Sequence, residues 1–559
     1  MLGLINPILP YLAITISVWI TYIYTLKCGF VSDDLAGITE YDGKLQGYEY
    51  GMLSRWIRYH LCGGNFPSKK KFKQQDGTDF VIPQGKIPIW HHFLSVSIFN
   101  IGCLLLYLFL AKQFDPKLAL LTVILFIVHP ICTQSVAWIS GLGYPLSLVW
   151  AGAILNLIPW VYDSPSMPIL ILGTLGFCLL QFLAIHAQFA TMMLWVILLF
   201  LGYWHFAILG ALISVVMGFD IIKQTIGIRR DEFIKQNMAK SIYVKPRKIV
   251  VALKTFLYYL AHTLVPSKMG LYHTWGFHYD NDVERKDWYF GLGFLAFFGL
   301  VVIYFLYPVK EVQLSILWFS SFVFIFLNWI TIQQFVTERY VFLPTIGICL
   351  LISYFTQNHL IVYALIAGIY LCRTWMMLPT YDNELRFYQS NVWNFIDSEV
   401  AYGNLGVTYL RLGQVGSALD SWHQATRINP DYDVPYYNIF SNFRSTADMA
   451  LKNGDYQGAI NTYHQALPYL QKTLNCKICH FHEMWKKEHL DIIEKIQNPV
   501  KMLTAERERL VILQSDLTAR IVAMKVEEDV RPVQSSIDDA KRQFDRLEAF
   551  MKSNGITPT

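Results

Sequence analysis

The sequence predicts an all-α polytopic membrane protein, with about eleven transmembrane helices and a soluble helical domain after them. Three observations lead there. The 559 residues are 54% hydrophobic and only 16% charged, where soluble domains carry about 25% charged residues. Apolar runs of roughly 20 residues, the length that crosses a hydrocarbon core, recur along residues 1–378. Beyond 379 the sequence turns mixed and charged, with apolar residues at helical spacing. The expected organisation is a membrane domain over 1–378, with a large first loop at 27–89 and a second at 220–287, and a helical domain over 379–559.

The first span reads from Pro7 to Leu26. No basic region precedes it and no small-residue cleavage site stands before Lys27, so it reads as an uncleaved span and not a signal peptide. Just beyond it come Phe30-Val31-Ser32-Asp33-Asp34-Leu35. An acidic pair at the edge of the hydrocarbon is costly to leave without a role, which makes Asp33 and Asp34 candidate site residues. The first loop then holds Gly51 to His60, which suits an amphipathic interfacial helix, and the run Lys69-Lys70-Lys71-Phe72-Lys73, which suits a solvated or lipid-facing surface.

Further apolar runs follow near 90–110, 118–136, 142–161, 168–186, 188–203, 205–219, 288–307, 312–331, 340–356 and 359–376. A second basic loop begins at Asp220 and continues to Arg247. Residues 248–265 have helical spacing but include Lys248 and Lys254, and so read as an interfacial helix. An odd span count puts the Asp pair, the second basic loop and the tail on one face, which the positive-inside rule alone would assign to the cytoplasm. The net charge of +5 gives no support to nucleic-acid binding.

The tail opens with a repeat signal: Ala401, Tyr402, Gly403, Asn404, Leu405, Gly406 and Tyr409, then Gly413, Ala418, Trp422, Ala425 and Pro430. These spacings follow the tetratricopeptide pattern, in which small residues let paired helices cross closely and aromatics fill between them. A degenerate second unit has Gly454, Ala459, Tyr463 and Ala466. Two units need capping, and the helices from Leu470 to about Ser553 are the candidates.

Three further stretches accompany the Asp pair: His129 to Gly141 (His129-Pro130-Ile131-Cys132-Thr133-Gln134, then Ser135-Val136-Ala137-Trp138-Ile139-Ser140-Gly141), Glu338 to Gly347 (opening Glu338-Arg339-Tyr340-Val341-Phe342-Leu343-Pro344), and Tyr402-Gly403-Asn404-Leu405-Gly406. In this order, over roughly residues 1–470, the chain resembles the transmembrane-and-tetratricopeptide-repeat family of GT-C glycosyltransferases, related to protein O-mannosyltransferases. The resemblance implies a GT-C-like membrane domain, a polyprenyl-phosphate-linked sugar donor, and a protein or glycan acceptor on the non-cytoplasmic face. It also places the tail on that face, in a bacterial inner membrane or an endoplasmic-reticulum-type membrane, with the repeats open to a protein partner.

Inverting transfer needs a carboxylate to take or orient the acceptor's proton opposite the departing phosphate. Asp33 is the family-matched candidate, with Asp34 orienting it or holding the acceptor. Arg339 suits the leaving phosphate, since a guanidinium makes bidentate contacts with phosphate. The resemblance also implies His129, His91 and His186 as further lipid-phosphate candidates, since they fall at or near family motif positions. No metal is required, although the Asp33–Asp34 pair is chemically able to hold a divalent cation. Relatives commonly carry Glu where this chain has Gln134, a basic residue where it has Leu142, and Lys-Glu near His186-Ala187. Those neutral positions imply either altered specificity or lost activity.

Cys476-Lys477-Ile478-Cys479-His480 matches the c-type haem attachment pattern and offers zinc ligands, but no other redox feature accompanies it, so a disulfide or plain helical residues are the expected reading. Two rival functions remain. One is a lipid-linked oligosaccharide ligase or polymerase, which usually concentrates its site in a late large loop. The other is a non-catalytic membrane scaffold that presents repeats to a partner. An enzyme brings Asp33, Asp34 and Arg339 into one place; a scaffold need not.

Overall fold

The computed structural model describes residues 8–34, 52–62, 69–73, 79–83, 88–164, 166–229, 248–271, 287–329, 336–476, 490, 499–523 and 531–556. The chain divides into two compact units, Met1–Phe72 with Phe80–Ala401, and Lys73–Asp79 with Tyr402–Thr559. Apart from two short paired strands, β1 (Lys69–Lys73) and β2 (Asp79–Pro83), the described residues are helical or connecting. Arg230 to Arg247 of the second basic loop, and Cys479 and His480, lie outside the described residues.

The first unit holds α1 (Leu9–Tyr22), α2 (Met52–Cys62), α3 (Ile89–Gln113), α4 (Pro116–Val128), α5 (Ile131–Ala137), α6 (Gly143–Tyr162) and α7 (Met167–Ala187). It continues with α8 (Leu194–Phe200), α9 (Trp204–Arg229), α10 (Lys248–Leu264), α11 (Asp287–Leu306), α12 (Lys310–Phe324), α13 (Phe342–Thr356), α14 (Leu360–Met377) and α15 (Glu384–Asn394). Among the described residues seven helical stretches are long and apolar enough to span a membrane: Leu9–Lys27, Ile89–Gln113, Ile139–Tyr162, Met167–Ala187, Tyr289–Leu306, Glu338–Thr356 and Leu360–Tyr381. The bent pair of α4 and α5 makes an eighth if it crosses as one. Phe189–Phe200, Trp204–Phe219 and Ile249–Leu264 are shorter apolar helices. The chain is thus an all-α, multi-pass integral membrane protein in composition and helix length.

Local chemistry explains the breaks. The residue before a proline is pushed out of the helical region, and His129 before Pro130 is extended at ψ 128°, which separates α4 from α5 by a 68° bend. Helix α4 starts where the Asp115 side chain accepts from Lys117 N at 2.8 Å, with Pro116 in the first turn, where its missing N–H costs nothing.

Burial along α1 separates two faces. Leu9, Leu12, Ile16 and Ile20 are exposed, while Ile14, Val18 and Tyr22 are buried. An exposed apolar stripe at helical spacing is what a hydrocarbon-facing surface requires. Against α3, α6 packs through small residues. A Cβ on Gly102 would come within 2.8 Å of Leu148, and one on Gly152 within 2.8 Å of Leu105, so each glycine receives a leucine from the other helix.

The second unit is built of α16 (Glu399–Arg411, whose first three residues belong to the first unit), α17 (Val415–Ile428), α18 (Asp433–Lys452), α19 (Tyr456–Asn475), α20 (Pro499–Ala523) and α21 (Arg531–Ser553). Trp422 is 1% exposed, and its Nε1 donates to the Gly403 carbonyl at 3.1 Å. A Cβ on Gly406 would lie 2.3 Å from the same indole nitrogen. Ala418, Trp422 and Ile439 form one cluster, while Ala459, Tyr463, Ala466, Leu503 and Leu547 belong to another. Gly413 and Gly454 end their helices at φ +76° and +80°, a conformation that glycine adopts without a Cβ clash.

This packing gives the first prediction. Gly406→Val forces a branched side chain into the space of the Trp422 indole and should destabilise the second unit by about 1–3 kcal/mol. Limited proteolysis of the full chain in detergent should then cut after residue 399 at a lower temperature than wild type. An unchanged cleavage temperature would refute the close Gly406–Trp422 crossing.

Candidate functional site

A tight turn at Val31–Asp34 organises the site. Asp34 N donates to Val31 O at 3.2 Å, and the Asp34 Oδ2 accepts from Val31 N at 3.1 Å. Ser32, at the turn's second position, has a φ of +53°, a strained value for a side chain larger than glycine's. The two acidic residues therefore meet opposite fates: Asp34 is fully buried and Asp33 is exposed.

The turn is bolted to the stretch between α5 and α6. Asp34 Oδ1 accepts from Ser140 N at 2.7 Å and from Ser140 Oγ at 2.6 Å. Trp138 Nε1 donates to Val31 O at 3.2 Å. Gly141 is needed close by, because a Cβ there would lie 3.0 Å from Ser135 O. Burial pushes the Asp34 carboxyl up to about 7, while the Ser140 and Val31 hydrogen bonds and the Arg58 charge pull it down. Arg58 itself is buried on α2, donating to His91 O at 2.9 Å and to Ser95 Oγ at 3.0 Å, and burial lowers it to about 10.

Arg339 stands on the other side of Trp138. Its guanidinium lies 5.1 Å from the Trp138 ring and 5.6 Å from the Tyr340 ring, the geometry of cation–π contact. Its backbone N donates to Gln134 Oε1 at 3.0 Å, and Thr337 Oγ1 donates to the same oxygen at 3.2 Å. The Tyr144 hydroxyl interacts with Arg339 and Gln188. Neighbouring Glu338 is 1% exposed; its Oε1 accepts from Gly270 N at 2.5 Å and lies 3.9 Å from His262 Nε2.

The ends of two spans close the cluster. Gly29 N donates to the Tyr381 and Asp382 carbonyls at 3.2 and 3.1 Å, and a Cβ on Gly29 would lie 2.7 Å from Asp382 O. Tyr24 donates to Asp382 Oδ2 at 3.2 Å, and Asp382 also pairs with Arg386. Tyr381 is buried within the electrostatic reach of Glu338, Cys28, Arg339 and Asp34. Asp34, Trp138, Ser140, Arg339 and Tyr381 thus form one neighbourhood.

The three histidines are placed differently. His129 is fully buried at the α4–α5 bend, with Nε2 2.9 Å from Thr263 O and Nδ1 accepting from Ile131 N at 3.3 Å. With both ring nitrogens held by backbone, His129 fixes the bend. His91 is 2% exposed beside the Phe30 ring at 6.1 Å. His186 is half-buried, 4.4 Å from the Phe182 ring on its own helix. His92, fully buried, reaches the Cys28 and Gly29 backbone behind the turn. Among the described residues no group of three or more His, Cys, Asp or Glu converges in a way that would hold a metal ion.

Sequence reasoning missed Trp138, Ser140, Glu338, Arg58, His92 and Tyr381 as site residues. The first three stand inside the stretches it singled out, so the signal was present and went unused. Arg58 stands in the stretch read as an interfacial helix and His92 beside the candidate His91, while Tyr381 carries no local signal.

The buried carboxyl predicts a pH dependence. The folded chain holds the Asp34 proton more tightly than the unfolded chain, where it titrates near 3.8. The stability that this contributes is complete below about pH 4 and is lost as pH rises through about 7. We expect the thermal midpoint of wild type minus that of Asp34→Asn to fall across this window, by the equivalent of up to about 4 kcal/mol. A flat difference profile between pH 4 and 7 would contradict the burial of an ionisable Asp34.

Comparison of the chain with protein-family models, with curated proteins and with solved structures gives no match.

Proposed function

We propose that the chain is a membrane glycosyltransferase that moves a sugar from a polyprenyl-phosphate-linked donor to a protein or glycan acceptor on the non-cytoplasmic face. The observation that carries this reading is the common neighbourhood of the Asp turn and Arg339, held on either side of Trp138. It supplies a carboxylate for the acceptor and a cation for the leaving phosphate within one part of the fold.

In this reading the two carboxylates divide the work. Asp34, with both oxygens engaged, is a positioning residue that sets the turn. Asp33, exposed beside it, is the base. It takes the acceptor hydroxyl proton while the acceptor oxygen bonds to the anomeric carbon. The bond from that carbon to the phosphate oxygen breaks, and its electron pair leaves with the lipid phosphate. Arg339 neutralises the charge that gathers on the phosphate. Gln134 fits this use of Arg339: its amide oxygen holds the Arg339 backbone without adding a charge to compete for the guanidinium.

In this reading the N-terminus is cytoplasmic and the Asp turn lies across the membrane, as the family resemblance implies. Tyr381 and Asp382 lie beside that turn, and the reading assigns the second unit to the non-cytoplasmic side. The close Gly406–Trp422 crossing and the small residues Ala418, Ala425, Ala459 and Ala466 support tetratricopeptide-like hairpins as an acceptor or partner surface.

The test separates binding from chemistry, using polyprenyl-phosphate hexoses as donors in single-turnover transfer. Asp33→Asn should lower turnover by about 10²–10⁴ with donor binding kept, because it removes the base alone. Arg339→Ala should weaken donor binding by about 2–5 kcal/mol, because a buried phosphate loses its charged partner. Both variants are first matched for membrane insertion. Near-wild-type transfer by Asp33→Asn would sink the catalytic role and leave a membrane scaffold as the better reading.

A further inference from the structure

A second feature of the membrane unit lies apart from the Asp turn. A cavity of about 700 Å³ opens between the end of α10 and the helices α13 and α14, a size typical of small-molecule sites. Its walls are mainly apolar, with Leu264, Ile352, Ile366, Ile369 and Met376. Leu264, Ile369 and Met376 are 42%, 66% and 68% exposed, so the cavity opens on the surface that these spans turn to hydrocarbon. Asp34, Trp138, Ser140 and Arg339 do not line it. Tyr370 closes its inner wall, with its ring 4.4 Å from His129 and its hydroxyl donating to Leu264 O at 2.9 Å.

Among the described residues one charge, Arg373, interrupts this lining. Arg373 donates through Nη2 to Ser267 O at 2.7 Å, while its Nε is buried without a hydrogen-bond partner. Among the described residues no carboxylate lines the cavity. Arg373 lies eight residues before Tyr381, the end of its span, or about 12 Å along the helix. A guanidinium at that depth extends towards the interface and is costly without an anion. Apolar walls open to hydrocarbon, with a guanidinium edge at the headgroup end, match an amphiphile carrying one chain and one phosphate.

We propose that this groove is a binding site for an anionic membrane phospholipid, with an acyl chain along α13 and α14 and a phosphate oxygen accepting from Arg373 Nε. Charge complementarity favours an anionic over a zwitterionic lipid, since a cation at the membrane surface is worth roughly fivefold in anionic-lipid binding. The proposal is independent of the glycosyltransferase reading, because the groove is built from residues outside the site around Asp34.

The experiment uses the full chain, delipidated in detergent, with native mass spectrometry against phosphatidylglycerol and phosphatidylcholine of the same acyl chains. Wild type should bind phosphatidylglycerol about fivefold more tightly than phosphatidylcholine. Arg373→Gln should abolish that preference, and Arg373→Lys should restore most of it. Ile369→Trp, which fills the groove, should weaken both lipids. Thermal midpoints without lipid check that each variant is folded, and the lysine variant keeps the test decisive if the glutamine variant is not. Equal binding of the two lipids by wild type would overturn the proposal, as would an undiminished preference in folded Arg373→Gln. Displacement of phosphatidylglycerol by inorganic phosphate, or co-purification of a polyprenyl phosphate in its place, would also overturn it by naming a different source of the anion.

Discussion

The carboxylate of Asp34 is the constraint on which the site depends. An ionised carboxylate out of water costs several kcal/mol, and each hydrogen bond to it returns about 1.5–3 kcal/mol. Val31 N, Ser140 N and Ser140 Oγ supply three, and Arg58 adds its field from behind. These donors come from two parts of the chain more than 100 residues apart, so the carboxylate is tolerable only when the end of the first span meets the start of α6. The turn cannot keep its shape if that meeting fails. Asp33 takes its exposed position from this arrangement and not from its own contacts.

Arg339 is positioned by a parallel device. The Gln134 oxygen fixes its backbone, and the Trp138 and Tyr340 rings flank its guanidinium. Trp138 serves both halves, donating to Val31 O on one side and receiving the guanidinium over its ring on the other. Ring and indole N–H are orthogonal functions of one side chain, so a single residue spaces the acidic turn from the cation. A phenylalanine there would keep the ring face and lose the hydrogen bond to the turn.

Much of the membrane unit was legible because apolar length and spacing are local properties. The first span, the interfacial helix α2 and the amphipathic helix α10 follow from runs that a window of residues contains. The position of the Asp pair was legible for the same reason. Which of the two is buried was not, because it depends on Ser140, 106 residues away in sequence. His129 shows the opposite difficulty: the resemblance gave it a phosphate-binding role, yet Thr263 O and Ile131 N take both ring nitrogens. Glu338 was visible beside Arg339, but its partner Gly270 N sits on a different element. In the tail, the close helix crossing was legible because Gly403, Gly406 and Trp422 lie within about one hairpin of each other in sequence.

The site is assembled from ends of spans widely separated in the chain: Gly29 and Val31 after the first span, Trp138 and Ser140 before α6, Arg339 before α13, and Tyr381 after α14. No two of these groups neighbour each other in sequence, so local helix formation cannot bring them together. The membrane imposes the first part of the order, since spans of similar length put their ends at common levels. Side-chain and backbone hydrogen bonds impose the rest, and they act where irregular backbone leaves N–H and C=O groups to satisfy. This explains why the polar residues of the site stand on turns, short helical segments and the ends of spans. A chain ending before Tyr381 and Asp382 would keep every element of the Asp turn, yet would lose the carbonyls that hold Gly29. The first unit therefore includes the residues just after the last apolar run because the acidic turn is tied to them.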